Sequence, residues 1–422
     1  MSRLRALVSL AARSAWNRRL TLSLIALSIA LSAILLVGLE RIRVQARASL
    51  VQAISGVDLV VGARGSQIQL VLYAVFHLGS ATNNLGWDTA LAISELPEVE
   101  WAVPLSMGDS HRGYPVVATT GEFFSRYRYR RDARLSLSQG RVFEDVFEVV
   151  LGAETARRLD YDLGGKIVLR HGTSAASPEH SDKPFVIVGI LAPTGSPVDR
   201  SLYISLESME AIHIDWRGGA PIPGLRIGPE AARRLNLTPK SVTALLLGLK
   251  NRRQVFGLQR LINDRPGEAL SAALPGVALD QLWRLLGGGE RALLAVSALV
   301  TMTGLMGLVS AVLAGLGERR RELAVLRSVG ARPVDVLALV ALESLALTLA
   351  GVFLGLLGLA LLIALLGPVI RDLYGLAITL SLPTYSELAL IAAVIAAGFL
   401  AGLIPAFRAY RLSLSDGLTV RI

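Results

Sequence analysis

The stretch Leu20-Thr-Leu-Ser-Leu-Ile-Ala-Leu-Ser-Ile-Ala-Leu-Ser-Ala-Ile-Leu-Leu-Val-Gly-Leu39 decides the fold. It carries no charge, and a helix of about 20 apolar residues is what crosses a hydrocarbon core. Three more runs of the same kind, 292–316, 344–366 and 388–403, crowd the last third of the chain. Between the first and second run lie about 250 residues of ordinary globular composition. The pattern predicts an α-helical membrane protein with four transmembrane helices, arranged 1+3. A large α+β extracytoplasmic domain is inserted between helices 1 and 2.

The distribution of charge orients this frame. The net charge is +10, but it is concentrated. The segment before the first span carries Arg3, Arg5, Arg13, Arg18 and Arg19 without an acidic residue. The loop after the second span carries Arg319, Arg320, Arg321, Arg327 and Arg332 against Glu318, Glu322 and Asp335, and the tail carries Arg408, Arg411 and Arg421 against Asp416. Four spans put these three segments on one side, which the positive-inside rule makes cytoplasmic. The insert is nearly balanced in charge and is expected outside, as is the loop 367–387. The expected segments are a cytoplasmic amphipathic helix 1–19, span 20–39, exported domain 40–290, span 291–317 and loop 318–335. Span 336–366, outer loop 367–387, span 388–407 and cytoplasmic tail 408–422 complete the chain. Glu40-Arg41-Ile42-Arg43 follows the first span where a signal peptide would carry a small-residue cleavage site, so an uncleaved anchor is expected. There is no cysteine, hence no disulfide framework and no thiolate chemistry.

Within the insert, strands are predicted near 57–61, 115–119, 166–170, 185–190, 201–204 and 243–249, and helices near 87–96, 153–159 and 206–212. Residues 172–184 read as an exposed loop. The first span is expected to continue as a helical stalk, with 254–265 and 279–286 leading back as a second. Gly287-Gly288-Gly289 reads as a hinge or as a plain helix break. The apolar stretch 68–78 is core, a wall for a lipid chain, or a contact between two copies. The segment 126–134, with five arginines among aromatic residues, is a solvated strand edge or meets lipid headgroups. Its placement outside excludes nucleic acid.

The loop Glu318-Arg-Arg-Arg-Glu-Leu-Ala-Val-Leu-Arg-Ser-Val-Gly-Ala-Arg-Pro333 has a local logic of its own. Leu323, Leu326 and Val329 form one apolar stripe of a short helix beside the arginines. Gly330 supplies its stop and Pro333 suits the first turn of the next helix. Such an element is either a docking helix or a solvated positive-inside loop. Glu343, at the start of the third span, needs water or a partner, with Arg327 and Arg332 as candidates.

These residues resemble the FtsX-like permease family of ABC transporters, of the macrolide-exporter and lipoprotein-release type. Its loop pattern is matched by Glu318-Arg319, Arg321-Glu322, Leu326-Arg327 and Gly330-Ala331. Glu343, the Gly351/Gly355/Gly358 series and the ending Pro405-Ala406-Phe407-Arg408-Ala409 match as well. In the insert, Gly152, 163–169 and 185–190 are similar to that family's periplasmic domain, whereas 58–66 and 83–87 depart from the macrolide-exporter pattern. The resemblance implies a non-catalytic membrane subunit in a bacterial inner membrane, with a separate cytoplasmic ABC ATPase holding ATP and Mg²⁺. It implies ATPase docking through Arg319, Arg320, Arg321, Leu323, Leu326, Arg327 and Val329, and coupling through Glu343. It also implies mechanotransmission by a homodimer to a lipid, lipoprotein or hydrophobic substrate, in contact with membrane lipids and with a periplasmic or lipoprotein partner. The alternatives are a scaffold that activates an envelope hydrolase and a membrane-anchored enzyme.

No Gly-x4-Gly-Lys-(Ser/Thr) phosphate loop occurs, and Leu163-Gly-Gly-Lys-Ile167 has the wrong spacing. No HExxH helix or nucleophile elbow is present. Of the five histidines, His171 and His180 share a loop and can meet at a metal. Scattered surface histidines are the other reading, and no metal site is assigned.

Overall fold

The computed structural model describes residues 19–411 except 53–55, 82, 130–132, 173–176, 218–219, 329 and 375–377. For 49–52, 318, 320, 321 and 371–374 it describes the backbone alone. The expected amphipathic helix before the first span and the tail 412–422 lie outside the described residues. The chain divides into two units, 47–286 and the flanking segments 1–46 with 287–422.

The unit 47–286 is built on an eleven-stranded mixed sheet. Its strands are β1 (Leu59–Ala63), β2 (Val99–His111), β3 (Tyr114–Thr119), β4 (Leu137–Gly140), β5 (Glu148–Leu151) and β6 (Lys166–Ile167). They continue with β7 (Arg170–His171), β8 (Phe185–Leu191), β9 (Leu202–Ser205), β10 (Ala244–Leu249) and β11 (Leu270–Ala273). The order across the sheet is β11-β1-β10-β2-β3-β9-β5-β8-β4, with β6 paired to β8 and β7 to β2. Only the β5–β8 and β3–β9 pairs are parallel among the described ladders. The apolar runs become strands because both faces are covered. All of β10 is buried, with Leu245 and Leu247 in one core and Ala244 and Leu246 in the other. Alternation by two sends neighbours to opposite cores, so the sequence reads as a continuous apolar run. Helices Trp87–Ser94, Leu206–His213 and Val255–Asn263 cover the first face through Ile93, Ile212 and Ile262. Helix Gln67–Phe76 covers the second, capped by the Ser66 hydroxyl on the Gln69 amide. The stretch 68–78 is therefore largely core, through Leu70, Val71 and residues 73–76, while Leu78 is exposed.

Three expectations change. The segment 254–265 is no stalk: its helix packs Leu258 and Ile262 against the sheet, and β11 separates it from the second long helix. The loop 172–184 is not simply exposed, since His180 and Lys183 are fully buried. Gly287–Gly289 does not break the helix, which runs unbroken through all three glycines.

Among the described residues, four helices are long and apolar enough to cross a membrane, one near the N-terminus and three near the C-terminus. They fall within α1 (Arg19–Gln52), α2 (Pro275–Glu318), α4 (Pro333–Tyr374) and α5 (Tyr385–Arg411), and a short α3 (Arg320–Ser328) lies between α2 and α4. Their ends follow local chemistry. Gly330 is left-handed at φ 99°, and the Ala331 amide bonds the Leu326 carbonyl, a Schellman closure of α3. Asp335 accepts the Arg332 amide at 2.8 Å beside Pro333 at the first position of α4. At α5, Thr384 and Glu387 form a capping box: the Glu387 amide meets the Thr384 hydroxyl, and the Thr384 amide meets the Glu387 carboxylate at 2.9 Å.

Small residues bring the apolar helices together. A Cβ added at Gly355 would lie 2.7 Å from the Ala30 carbonyl oxygen and 2.8 Å from Ala33 Cβ, so α4 meets α1 backbone to backbone. A Cβ at Gly402 would lie 2.4 Å from Ser344 Cβ, across the α4–α5 contact. In lipid, helix association rests on such close packing. Gly355→Leu should overpack this contact and cost about 1–3 kcal/mol. The expected result is a lower thermal midpoint for the detergent-solubilised protein, whereas an unchanged midpoint would remove the close approach as a source of stability.

Candidate functional site

The short amphipathic helix expected in the loop is present as α3, with its apolar stripe turned towards the protein's own helices. Leu323 is buried at 4% exposure with Val336, Val340 and Leu316, and Leu326 is half-buried against the same cluster. The stripe that reads as a docking surface is thus largely covered by the protein's own helices. The apolar side chain that α3 leaves exposed is Val325, flanked by exposed Glu322 and Ser328. Arg327 is half-buried, the side chains of Arg320 and Arg321 are not described, and Val329 lies outside the described residues.

Arg319 is buried in the turn between α2 and α3. Its Nη1 donates to Glu343 Oε2 at 2.6 Å, and its Nε donates to Glu322 Oε2 at 3.3 Å. Glu343 therefore has a partner, but it is Arg319 and not Arg327 or Arg332. Arg327 lies at the far end of α3, while the Arg332 amide is engaged by Asp335 in the following cap. A second ion pair joins α1 to α5. Arg41 Nε and Nη2 bond the two oxygens of Glu387 at 2.8 and 3.0 Å, and Nη2 also reaches the Ser381 carbonyl. Forked pairing of this kind fixes geometry as well as charge.

Of the arginine-rich segment 126–134, residues 130–132 lie outside the described residues, and the rest includes a small two-stranded ladder apart from the main sheet. Arg128–Tyr129 pairs with Ala133–Arg134, and Tyr127 is buried in the core. Arg126 and Arg128 line a polar recess of about 410 Å³ with Arg252, Asp58 and Glu100. Arg252 is 2.9 Å from Asp58 there.

The inserted domain also gathers a group that sequence reasoning only half found. Asp109 near the end of β2 is the register partner of His171 on β7. His180 follows in the loop after β7, and His213 closes the helix Leu206–His213. One ligand atom from each of these four residues lies within 4.8 Å of all the others. His171 Nδ1 is 3.1 Å from Asp109 Oδ1 and 3.0 Å from His213 Nε2. His180 Nε2 and His213 Nε2 each lie 3.6 Å from Asp109 Oδ2. Trp216 covers the group, its ring centroid 4.1 Å from that of His180. A buried ion pair, Lys183 Nζ to Asp215 Oδ1 at 2.6 Å, ties the His180 loop to the turn after His213. Burial pushes His180 down to about 4, so its ring is neutral. Burial opposes the Asp109 charge, yet the His171 hydrogen bond and the neighbouring His213 and His180 imidazoles outweigh it and hold the carboxyl at about 2. For His213 burial works against the charged form, but the nearby Asp109 carboxylate prevails and raises its pKa. His171 and His180 share a loop and were legible as a pair. Asp109 and His213 carry no local signal.

The MacB-like periplasmic core domain matches residues 20–232, and the FtsX-like permease C-terminal domain matches 294–414. The chain belongs to the MacB-type, FtsX-like family of ABC transporter permeases. Among solved structures it is similar to the periplasmic region of MacB from Actinobacillus actinomycetemcomitans. That match has 10% identity over 55% of this chain and 95% of the other, with a TM-score of 0.34. It is also similar to the extracellular domain of the noncanonic ABC-type transporter YknZ from Gram-positive bacteria, at 11% identity over 51% and 98%, with a TM-score of 0.31. No curated protein matches the sequence.

The Arg319–Glu343 pair can be measured. Glu343→Leu leaves a buried guanidinium short of its carboxylate, which costs up to about 3–5 kcal/mol where a pair is well buried. The expected double-mutant cycle of Glu343→Leu with Arg319→Met in thermal unfolding shows a coupling of about 0.5–3 kcal/mol. Strict additivity of the two changes would show that the pair contributes nothing.

Proposed function

We propose that this chain is the membrane subunit of a mechanotransmission-type ABC transporter in a bacterial inner membrane. The observation that carries the reading is the order of parts: one apolar helix, a MacB-like domain, then an FtsX-like region with three apolar helices. Membership of the family implies an ABC ATPase as partner, and ATP and Mg²⁺ are bound there. The ATPase docks on α3 through the face carrying Glu322, Val325 and Ser328, with Arg320 and Arg321 steering the encounter. The Arg319–Glu343 pair fastens α3 to α4, so displacement of α3 moves the spans. The helices α1 and α2, whose residues belong to both units, carry that motion to the inserted domain.

Two copies work together in the membrane. The row Leu20, Leu24, Leu27, Leu31 and Leu35 on α1 is exposed at helical spacing, and it suits lipid tails or a second copy. The work is done on a lipid, lipoprotein or hydrophobic compound. In support, an apolar recess of about 310 Å³ lies between α1 and α4, lined by Leu35, Ile42, Leu359, Leu362 and Leu366.

Topology and docking are tested separately. In intact spheroplasts an impermeant thiol reagent should label Ser125→Cys and spare Ser328→Cys until the membrane is opened. Labelling of Ser328→Cys from outside would reverse the orientation. Val325→Asp should lower recovery of the copurifying ATPase, since one fully buried aliphatic contact contributes about 1.5–3 kcal/mol, roughly tenfold or more in affinity. Undiminished recovery from a well-folded Val325→Asp protein would place the contact elsewhere.

A further inference from the structure

The cluster Asp109, His171, His180 and His213 makes poor sense as a network of protons alone. His180 is fully buried, and neither of its ring nitrogens has a hydrogen-bond partner; Asp109 Oδ2 has none either. Each unsatisfied buried polar group costs about 1–3 kcal/mol, and native interiors leave very few. The other two histidines show the ordinary solution. His111 bonds the Val168 carbonyl at 2.7 Å and the Tyr161 hydroxyl at 2.9 Å, and His77 bonds the Ser201 hydroxyl at 2.7 Å. Asp109 Oδ2 and His180 Nε2 lie 3.6 Å apart, each without a hydrogen-bond partner and close to ring nitrogens of His171 and His213, and a cation between them would satisfy both.

The geometry points to Zn²⁺, and we propose that these four side chains form a tetrahedral three-histidine, one-carboxylate zinc site. A zinc ion about 2.0–2.1 Å from each ligand holds neighbouring ligand atoms about 3.3 Å apart. With Asp109 Oδ2 as the carboxylate ligand, the separations of 3.0 Å between His171 Nδ1 and His213 Nε2 and of 3.6 Å from Oδ2 to both His180 Nε2 and His213 Nε2 bracket that value, and one ligand atom of each residue lies within 4.8 Å of all the others. Three imidazoles and a carboxylate, with no sulfur, select a borderline first-row ion over Ca²⁺ or Mg²⁺. The surroundings are those of a ligand set already oriented. His213 Nδ1 lies 2.9 Å from the Met209 carbonyl, which can only accept, so the proton sits on Nδ1 and the Nε2 lone pair faces the cluster. The indole of Trp216 lies against His180, and the Lys183–Asp215 pair fastens the two segments that carry His180 and His213. His171 and His213 remain 35% and 25% exposed, which gives the ion a way in from solvent. Four protein ligands leave no open position, so the site is structural: it cross-links β2, β7, the following loop and the helix Leu206–His213. It does not depend on the permease reading.

The test uses the full chain without a polyhistidine tag, in detergent micelles, stripped with a chelator and dialysed. Isothermal titration with Zn²⁺ should show one saturable ion per chain, and the thermal midpoint of the inserted domain should rise with Zn²⁺. Co²⁺ should give the intense visible bands of tetrahedral coordination, and Zn²⁺ should displace them. His180→Ala removes a fully buried ring and can unfold the domain, so His171→Ala, at a half-buried position, is measured beside it. Its Zn²⁺ affinity should fall by more than the about 10–100-fold that loss of an outer-shell partner produces, with the circular dichroism unchanged. Absence of stoichiometric Zn²⁺ binding, a six-coordinate Co²⁺ spectrum, or wild-type affinity in folded His171→Ala would each overturn the proposal.

Discussion

Close approach of backbones is the constraint on which the apolar helices depend. Lipid tails are as apolar as leucine, so burying leucine against leucine contributes little specificity inside a bilayer. What distinguishes one arrangement of α1, α4 and α5 from another is where a glycine lets two backbones meet. Gly355 against Ala30 and Ala33, and Gly402 against Ser344, are such places. The ion pair Arg41–Glu387 then joins α1 to α5, which these contacts hold against α4, and Arg319–Glu343 ties the turn between α2 and α3 to α4. The Arg41–Glu387 pair can form only where α1 and α5 already lie close, so for that pair the small residues come first in the causal order.

Much of the architecture was legible because burial on both faces writes itself into composition. The apolar runs 20–39, 292–316, 344–366 and 388–403 and the strand Ala244–Leu249 needed no more than counting. The strand Val99–His111 was not legible, because Pro104, Gly108 and Asp109 interrupt a run that the long sheet nonetheless accommodates, with a register shift between Met107 and Ser110. Gly287–Gly289 misled for the opposite reason: local propensity argues for a break, and a long continuous helix overrides it.

The sites were less legible than the fold. Leu323 and Leu326 form a true amphipathic stripe, but periodicity does not say which partner covers it, and here it is the protein's own α2 and α4 that share the cluster. Glu343 was recognisable as a costly charge, yet its partner Arg319 is set by the turn between α2 and α3, which spacing alone does not place. The histidine cluster depends on a strand register that pairs His171 with Asp109, 62 residues away, and on a helix end that delivers His213. Lone histidines carry no period, so only the three-dimensional structure brings them together.

The central claim is that α3 answers to an ATPase in another chain. The most direct measurement reconstitutes this chain in nanodiscs and follows ATP turnover by the ABC ATPase that copurifies with it. The account predicts that the nanodisc-embedded chain alters that turnover several-fold over the free ATPase, and that the Glu343→Gln chain still binds the ATPase but leaves its turnover at the free rate. ATP turnover that is the same with and without the wild-type chain, in a complex shown to be assembled, would contradict it.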